Sequence, residues 1–145
     1  MNIKKVKRKI DTIFIHCSDT RTDQNFGVKD FRKWHMEERG WSDVGYHYVI
    51  RLNGTIEEGR PLHRIGAHAG KRHNSGSIGI CFEGGLTPAG EKWDEPLKAQ
   101  LIALGKLLQM IQPVYGILRI RGHYEVSTKS CPNFNIKHLY ILWKH

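Results

Sequence analysis

Between Pro96 and Pro113 the apolar residues Leu97, Leu101, Leu104, Leu108 and Ile111 recur at the three- and four-residue spacing of one helical face. Pro96 suits the opening of such a helix, and Pro113 predicts its end. A helix with one apolar stripe must bury that stripe against another element. The remaining apolar residues point to a sheet. They fall in short runs rich in β-branched and aromatic residues: IDTIFIH at 10–16, GYHYVI at 45–50, SIGICF at 77–82, and Ile117 to Ile120. Asn53-Gly54 separates GYHYVI from another short run, TIEEG, and predicts a hairpin. A further helix is expected from Val28 to Arg39, where Val28, Phe31, Trp34 and His35 share a face and Gly40 supplies a stop. Ile136, Leu139, Tyr140 and Trp143 predict a closing helix with Asn135 as its cap. The segments 18–27, 59–76 and 84–94 read as loops. Strands interleaved with helices make the expected fold class α/β: a single mixed, largely parallel β-sheet flanked by helices.

The 145 residues, 39% hydrophobic and 26% charged, suit one soluble globular domain, 1–145, that includes a basic N-terminal extension at 1–9. No segment approaches the run of about 18 apolar residues that a membrane span needs, so no membrane insertion is expected. The basic start leads straight into a strand-like run, with neither an apolar core nor a small-residue cleavage site. No secretory signal is read, and the protein is expected to stay in the cytoplasm until released. Three cysteines cannot all pair, and in a reducing compartment a metal or catalytic role for one of them is favoured over a bridge. The excess of 23 Lys and Arg over 14 Asp and Glu, a net charge of +9, implies attraction to polyanions. Nucleic acid, anionic membrane and acidic cell wall all qualify.

The stretch RGHYEVSTKSCP, residues 121–132, carries His123, Lys129 and Cys131. Imidazole and thiolate are preferred zinc ligands, and two of them leave a site half built. In open α/β sheets the ligand site lies beyond the carboxyl ends of the strands. His16 ends the first predicted strand, His123 follows the last, and Cys131 lies in the loop beyond, so the three are able to meet at one rim. Three protein ligands leave a tetrahedral zinc one vacant corner, the arrangement of a catalytic site. Nine histidines permit many triplets. Singly, His16 also reads as a hydrogen-bonded core histidine and Cys131 as a small buried hydrophobe.

The strings IFIHCSDT, FRKWHMEERGWSDVGYHYVI, NGTIEEGR, GAHA, NSGSIGIC and GHYEVSTKSCP resemble, in the same order and at similar separations, those of the zinc N-acetylmuramoyl-L-alanine amidases. This is the type 2 group, which includes small phage amidases and the peptidoglycan recognition proteins. The resemblance covers residues 10 to 143 and implies one zinc ion bound by His16, His123 and Cys131. Tyr46 and Lys129 match the family's catalytic tyrosine and lysine. The implied reaction is hydrolysis of the amide joining N-acetylmuramic acid to L-alanine in peptidoglycan. His68 matches a histidine lining the family's substrate groove, and Arg72, Asn74 and Ser77 resemble groove or groove-support positions, so these four are expected to bind substrate. A loop histidine is the plain alternative for His68.

Strand alternation separates His47 from Tyr46, which makes His47 structural. Glu125 reads either as a group orienting a ligand or as an exposed charge. His35, His63, His73, His138 and His145 read as surface or packing residues, and Cys17 and Cys81 as core. Three other functions compete with the amidase. A noncatalytic peptidoglycan-binding module would not need Cys131 together with Tyr46 and Lys129. A nucleic-acid binder is suggested by charge alone and has no recognisable motif, so no nucleic-acid partner is expected. A cysteine hydrolase using Cys131 and His123 is separable by its resistance to chelators. The favoured reading is a monomeric phage or prophage endolysin whose positive surface seeks the acidic wall.

Overall fold

The structure, a computed structural model, describes residues 1–140. Its elements in chain order begin with β1 (Thr12–Cys17), β2 (Thr20–Arg21), α1 (Val28–Arg39), β3 (Tyr48–Ile50) and β4 (Ile56–Glu58). They continue with α2 (Lys71–Asn74), β5 (Ser77–Phe82), β6 (Gly85–Leu86), α3 (Lys98–Tyr115) and β7 (Arg119–Gly122). Two 3₁₀ turns, His123–Glu125 and Ile136–Leu139, follow. The main sheet runs in the order β4-β3-β5-β1-β7, and β2 pairs with β6 in a small ribbon beside it. Among the described strands of the main sheet only the β3–β4 hairpin is antiparallel; β1 pairs in parallel with both β5 and β7, and β3 with β5. The expected mixed, largely parallel sheet flanked by helices is what forms.

Strand alternation divides the sheet into two faces. Ile13, Ile15, Ile78, Ile80 and Phe82 pack with Leu104, Leu107, Leu108 and Ile111 of α3 in the main core. Val49 and Cys81 point the other way, into a smaller cluster with Val28 and Phe31 of α1. His16 alternates with Ile15 and Cys17, so it too stands on the α1 face, level with Cys81 on the neighbouring strand. Asp30 closes the start of α1 by accepting from Gly27 N–H at 2.9 Å, and Gly40 ends the helix in the left-handed conformation at φ 68°.

Several sequence expectations shift. The buried face of α3 is Gln100, Ala103, Leu104, Leu107, Leu108 and Ile111, whereas Leu97 is 43% exposed. Gln100 escapes an apolar pattern because it is polar, yet its amide donates to Ile50 and Glu83 carbonyls at 3.2 and 2.8 Å. Pro113 sits inside the last turn, and the helix runs on to Tyr115 before Gly116. The last strand begins at Arg119, not Ile117, which is 68% exposed. GYHYVI is strand only from Tyr48, so Tyr46 lies in the segment that leads into the sheet. The predicted loops contain β2, β6 and the single turn α2, all too short for a periodic signal. Asn135 does cap the final 3₁₀ turn, accepting from Lys137 N–H at 3.0 Å, while Trp143 and His145 lie outside the described residues. The basic start is anchored: Ile3 packs in the main core, and Arg8 donates to the carbonyls of Leu62 and Ser77 at 2.7 and 2.9 Å.

Two buried polar groups tie the layers together. Glu83, 1% exposed, accepts from Arg51 Nε at 2.8 Å, Leu52 N–H at 3.0 Å and Phe26 N–H at 2.6 Å, which joins the ends of β3 and β5 to the approach of α1. Glu83→Ala strands these donors, and is expected to cost about 3 kcal/mol as a lower urea midpoint at neutral pH. His47, also 1% exposed, accepts from Gly79 N–H through Nδ1 at 3.0 Å. Its Nε2–H therefore donates to the Arg64 carbonyl at 2.9 Å. The bond from Gly79 requires the neutral ring, and burial pushes its pKa down to about 4. Unfolded, the same ring takes up a proton near about 6.5. As pH falls from about 6.5 towards 4, protons therefore favour the unfolded chain and the His47 contribution to stability is lost. Urea midpoints between pH 7.5 and 4.5 are expected to fall less steeply with acid in His47→Gln than in the unchanged protein.

Candidate metal centre and active site

The parallel pairing of β1 with β7 brings His16 and His123 together, with ring centroids 4.7 Å apart. His16 stands near the carboxyl end of β1, and His123 opens the 3₁₀ turn directly after β7. Glu125 reaches back to accept from Gly122 N–H at 2.7 Å, so it closes the turn that carries His123. The loop that follows returns Cys131 to the same rim, where its carbonyl accepts from Tyr124 N–H at 2.9 Å. Asn133 pins this loop by donating to Asp19 at 2.9 Å and to the Gly85 carbonyl at 3.1 Å. The available ligand atoms of His16, His123 and Cys131 all lie within 4.8 Å of one another, close enough for one cation to bridge them.

The protonation pattern suits metal binding. Burial, foremost, holds His16 below the ordinary histidine range, so its ring is neutral with a free lone pair. Cys131 and Cys17 titrate as an unequal pair. Contact with Cys17, foremost, and the neighbouring histidines hold the Cys131 thiol well below the cysteine range, while the contact with Cys131 and burial push Cys17 up. The backbone N–H of Cys17 donates to Cys131 Sγ at 3.2 Å. The arrangement favours the thiolate on Cys131 and the protonated thiol on Cys17.

These groups open into a cleft of ≈ 790 Å³ that Tyr46 and Lys129 also line. Arg60 holds the segment that carries Tyr46 by donating to the carbonyls of Val44 and Ile65 at 3.0 and 2.7 Å, while its own N–H donates to the Tyr46 carbonyl at 2.8 Å. The Tyr46 ring lies 5.2 Å from His16, and burial, helped by the nearby cysteines, raises its phenol well above the usual range. Tyr46 is a proton holder at neutral pH. Lys129 is exposed on the loop between His123 and Cys131. His68 and Asn74 also line the cleft, but both are buried; Asn74 Oδ1 accepts from His68 and Ala69 N–H at 3.2 and 2.8 Å. Ser77 is fully buried behind His68, and Arg72 is exposed on α2, outside the cleft lining.

The cleft has a wall that sequence reading missed. His35, Arg39, Trp41 and Lys71 line it. His35 Nδ1 accepts from Gly45 N–H at 2.9 Å, and its ring packs 5.5 Å from Tyr46, so it steadies the segment leading to the catalytic candidate. The Arg39 guanidinium lies 5.2 Å over the Trp41 ring. The residues HMEERGW held the signal: a helix end, a glycine stop and an aromatic placed to pack back onto it.

Residues 6–134 match the family described as "N-acetylmuramoyl-L-alanine amidase". The chain is 42% identical over 133 residues to the endolysin of Escherichia phage T7, across 92% of this chain and 87% of that protein. Among solved structures it resembles the endolysin amidase LysCS from Clostridium intestinale, with a TM-score of 0.77 and 27% identity over 92% of this chain and 82% of that one. It also resembles a mutant of Drosophila PGRP-LB in complex with tracheal cytotoxin, with a TM-score of 0.73 and 27% identity over 89% of this chain and 78% of the other.

Proposed function

This chain belongs to the N-acetylmuramoyl-L-alanine amidase family, and we propose that it cleaves the amide between N-acetylmuramic acid and L-alanine of peptidoglycan with one zinc ion held by His16, His123 and Cys131. The observation that carries the zinc assignment is the donor set: the buried His16 imidazole, a second imidazole at His123 and a favoured thiolate, converging within 4.8 Å at the head of a cleft. Two nitrogens and one sulfur suit zinc, and at bond lengths of about 2.0 and 2.3 Å a tetrahedral ion spaces nitrogen and sulfur about 3.5 Å apart. His16 Nδ1 and Cys131 Sγ lie 3.8 Å apart. The residues fit the ion.

When bound, zinc supplies Lewis acidity and a water acidified to a pKa of about 7. The protein supplies the rest. An amide resists attack because its carbonyl is weakly electrophilic and its amine leaves poorly. The Lys129 ammonium holds negative charge developing on the carbonyl oxygen, an effect worth about 3 kcal/mol per donor. Tyr46 keeps its proton at neutral pH and so serves as a hydrogen-bond donor to the reacting groups or a proton relay to the leaving nitrogen. Similarity to a phage endolysin supports a wall-lytic role, and the net charge of +9 favours approach to an acidic wall. Among the described residues no helix is long and apolar enough to cross a membrane.

Purified protein incubated with peptidoglycan is expected to free the amino group of L-alanine without creating reducing sugar ends. Chelation should abolish the release and added zinc should restore it; new reducing ends, or activity indifferent to chelators, would sink the proposal. Cys131→Ser is expected to lose bound zinc and activity together, whereas Cys17→Ser keeps its zinc. Lys129→Ala and Tyr46→Phe should retain zinc while kcat drops roughly 100-fold.

A further inference from the structure

We infer that Ser77 and His68 act as positioning residues that fix the tautomer of His16, so that Nδ1 rather than Nε2 is its metal-binding atom. The inference rests on the metal-site reading above and deepens it. His16 Nε2 and His68 Nδ1 face each other at 2.9 Å, with the two rings nearly perpendicular at 88°. One nitrogen must donate and the other accept, and distance alone does not say which. The answer comes from the far side of His68.

There, His68 Nε2 faces Ser77 Oγ at 3.4 Å. The Ser77 hydroxyl has one proton, and its short bond, 2.8 Å, goes to the His73 carbonyl. A carbonyl only accepts, so the serine proton is committed there, and Ser77 Oγ offers His68 a lone pair. His68 Nε2 therefore carries the hydrogen, and in a neutral ring His68 Nδ1 is then an acceptor. His16 must donate to it from Nε2. The remaining nitrogen, Nδ1, keeps its lone pair and faces Cys131 Sγ at 3.8 Å. The opposite order would set two lone pairs, on Ser77 and His68, against each other in a buried slot. Turning the serine proton instead would exchange a 2.8 Å bond for a 3.4 Å contact.

The slot is built for this ring. A Cβ at Gly79 or at Gly66 would lie 2.6 Å from His68 Cδ2, so glycine at both positions makes the space. His68 and Ser77, expected from sequence to bind substrate, take in this inference a positioning role that acts through His16.

Histidine ¹⁵N NMR on the metal-free protein at pH 7.5 reads the tautomer directly. His16 is expected to carry its hydrogen on Nε2, and to lose that preference in His68→Phe. Zinc affinity, measured by competition with a chelating dye, should weaken roughly 10- to 100-fold in His68→Phe. His68→Asn keeps an acceptor near the Nδ1 position and should bind close to the unchanged protein, with Ser77→Ala between them. His16 protonated on Nδ1, or a folded His68→Phe that binds zinc normally and shows only a raised KM, would overturn the inference. The measurement on unmodified protein decides the tautomer even if His68→Phe fails to fold. If the unmodified protein bound no zinc, the metal reading would fall, whereas normal zinc binding with the wrong tautomer would remove only the relay.

Discussion

The strand β1 is hydrogen-bonded along both edges by parallel neighbours, β5 and β7, and the geometry of the proposed centre follows from that double pairing. Parallel strands end at the same rim, so His16 on one strand and His123 just beyond another meet without either leaving regular structure. Such pairing also demands apolar residues on both faces, because helices cover the sheet on each side. His16 is buried on a strand for the same reason that Ile15 is. Its burial is what keeps the ring neutral and available as a ligand.

Electrostatics at the rim rest on inequality between like groups. Cys17 and Cys131 are chemically identical, yet one faces two histidines and a backbone N–H while the other faces the main core. The first is stabilised as a thiolate and the second as a thiol. His16, His47 and His68 show the same principle among imidazoles. All three are buried and held neutral, but each has different partners: His16 and His68 face each other, and His47 is tied to the backbone.

What the sequence allowed one to read depended on the range of the interaction. The bounds of α1 were readable because the stripe at Val28 and Phe31 and the stop at Gly40 are local signals. The face of α3 was displaced because Gln100 is buried for its hydrogen bonds and Leu97 is exposed, a reversal that apolar spacing does not encode. His16, His123 and Cys131 are legible as a set because parallel strands end at one rim, and the family resemblance separates them from the other candidates among nine histidines. The contact between His16 and His68 spans 52 residues and depends on two glycines and a serine rotor. Nothing in the spacing of residues announces such a contact.

The alternation of side chains along β1 has an evolutionary consequence. Ile13, Ile15 and Cys17 serve the core, and His16 serves the rim, on a strict odd–even scheme. Insertion of one residue upstream within the strand would exchange the two roles at once, sending the histidine into oil and an isoleucine into the cleft. No graded intermediate exists between the two arrangements. Diversification of such an enzyme is therefore channelled into the connections beyond the strand ends, where the cleft wall from His35 to Trp41 and the turn at Lys71 can change length without touching that frame. The sheet works as a fixed reading frame, and the loops are where lineages are free to write.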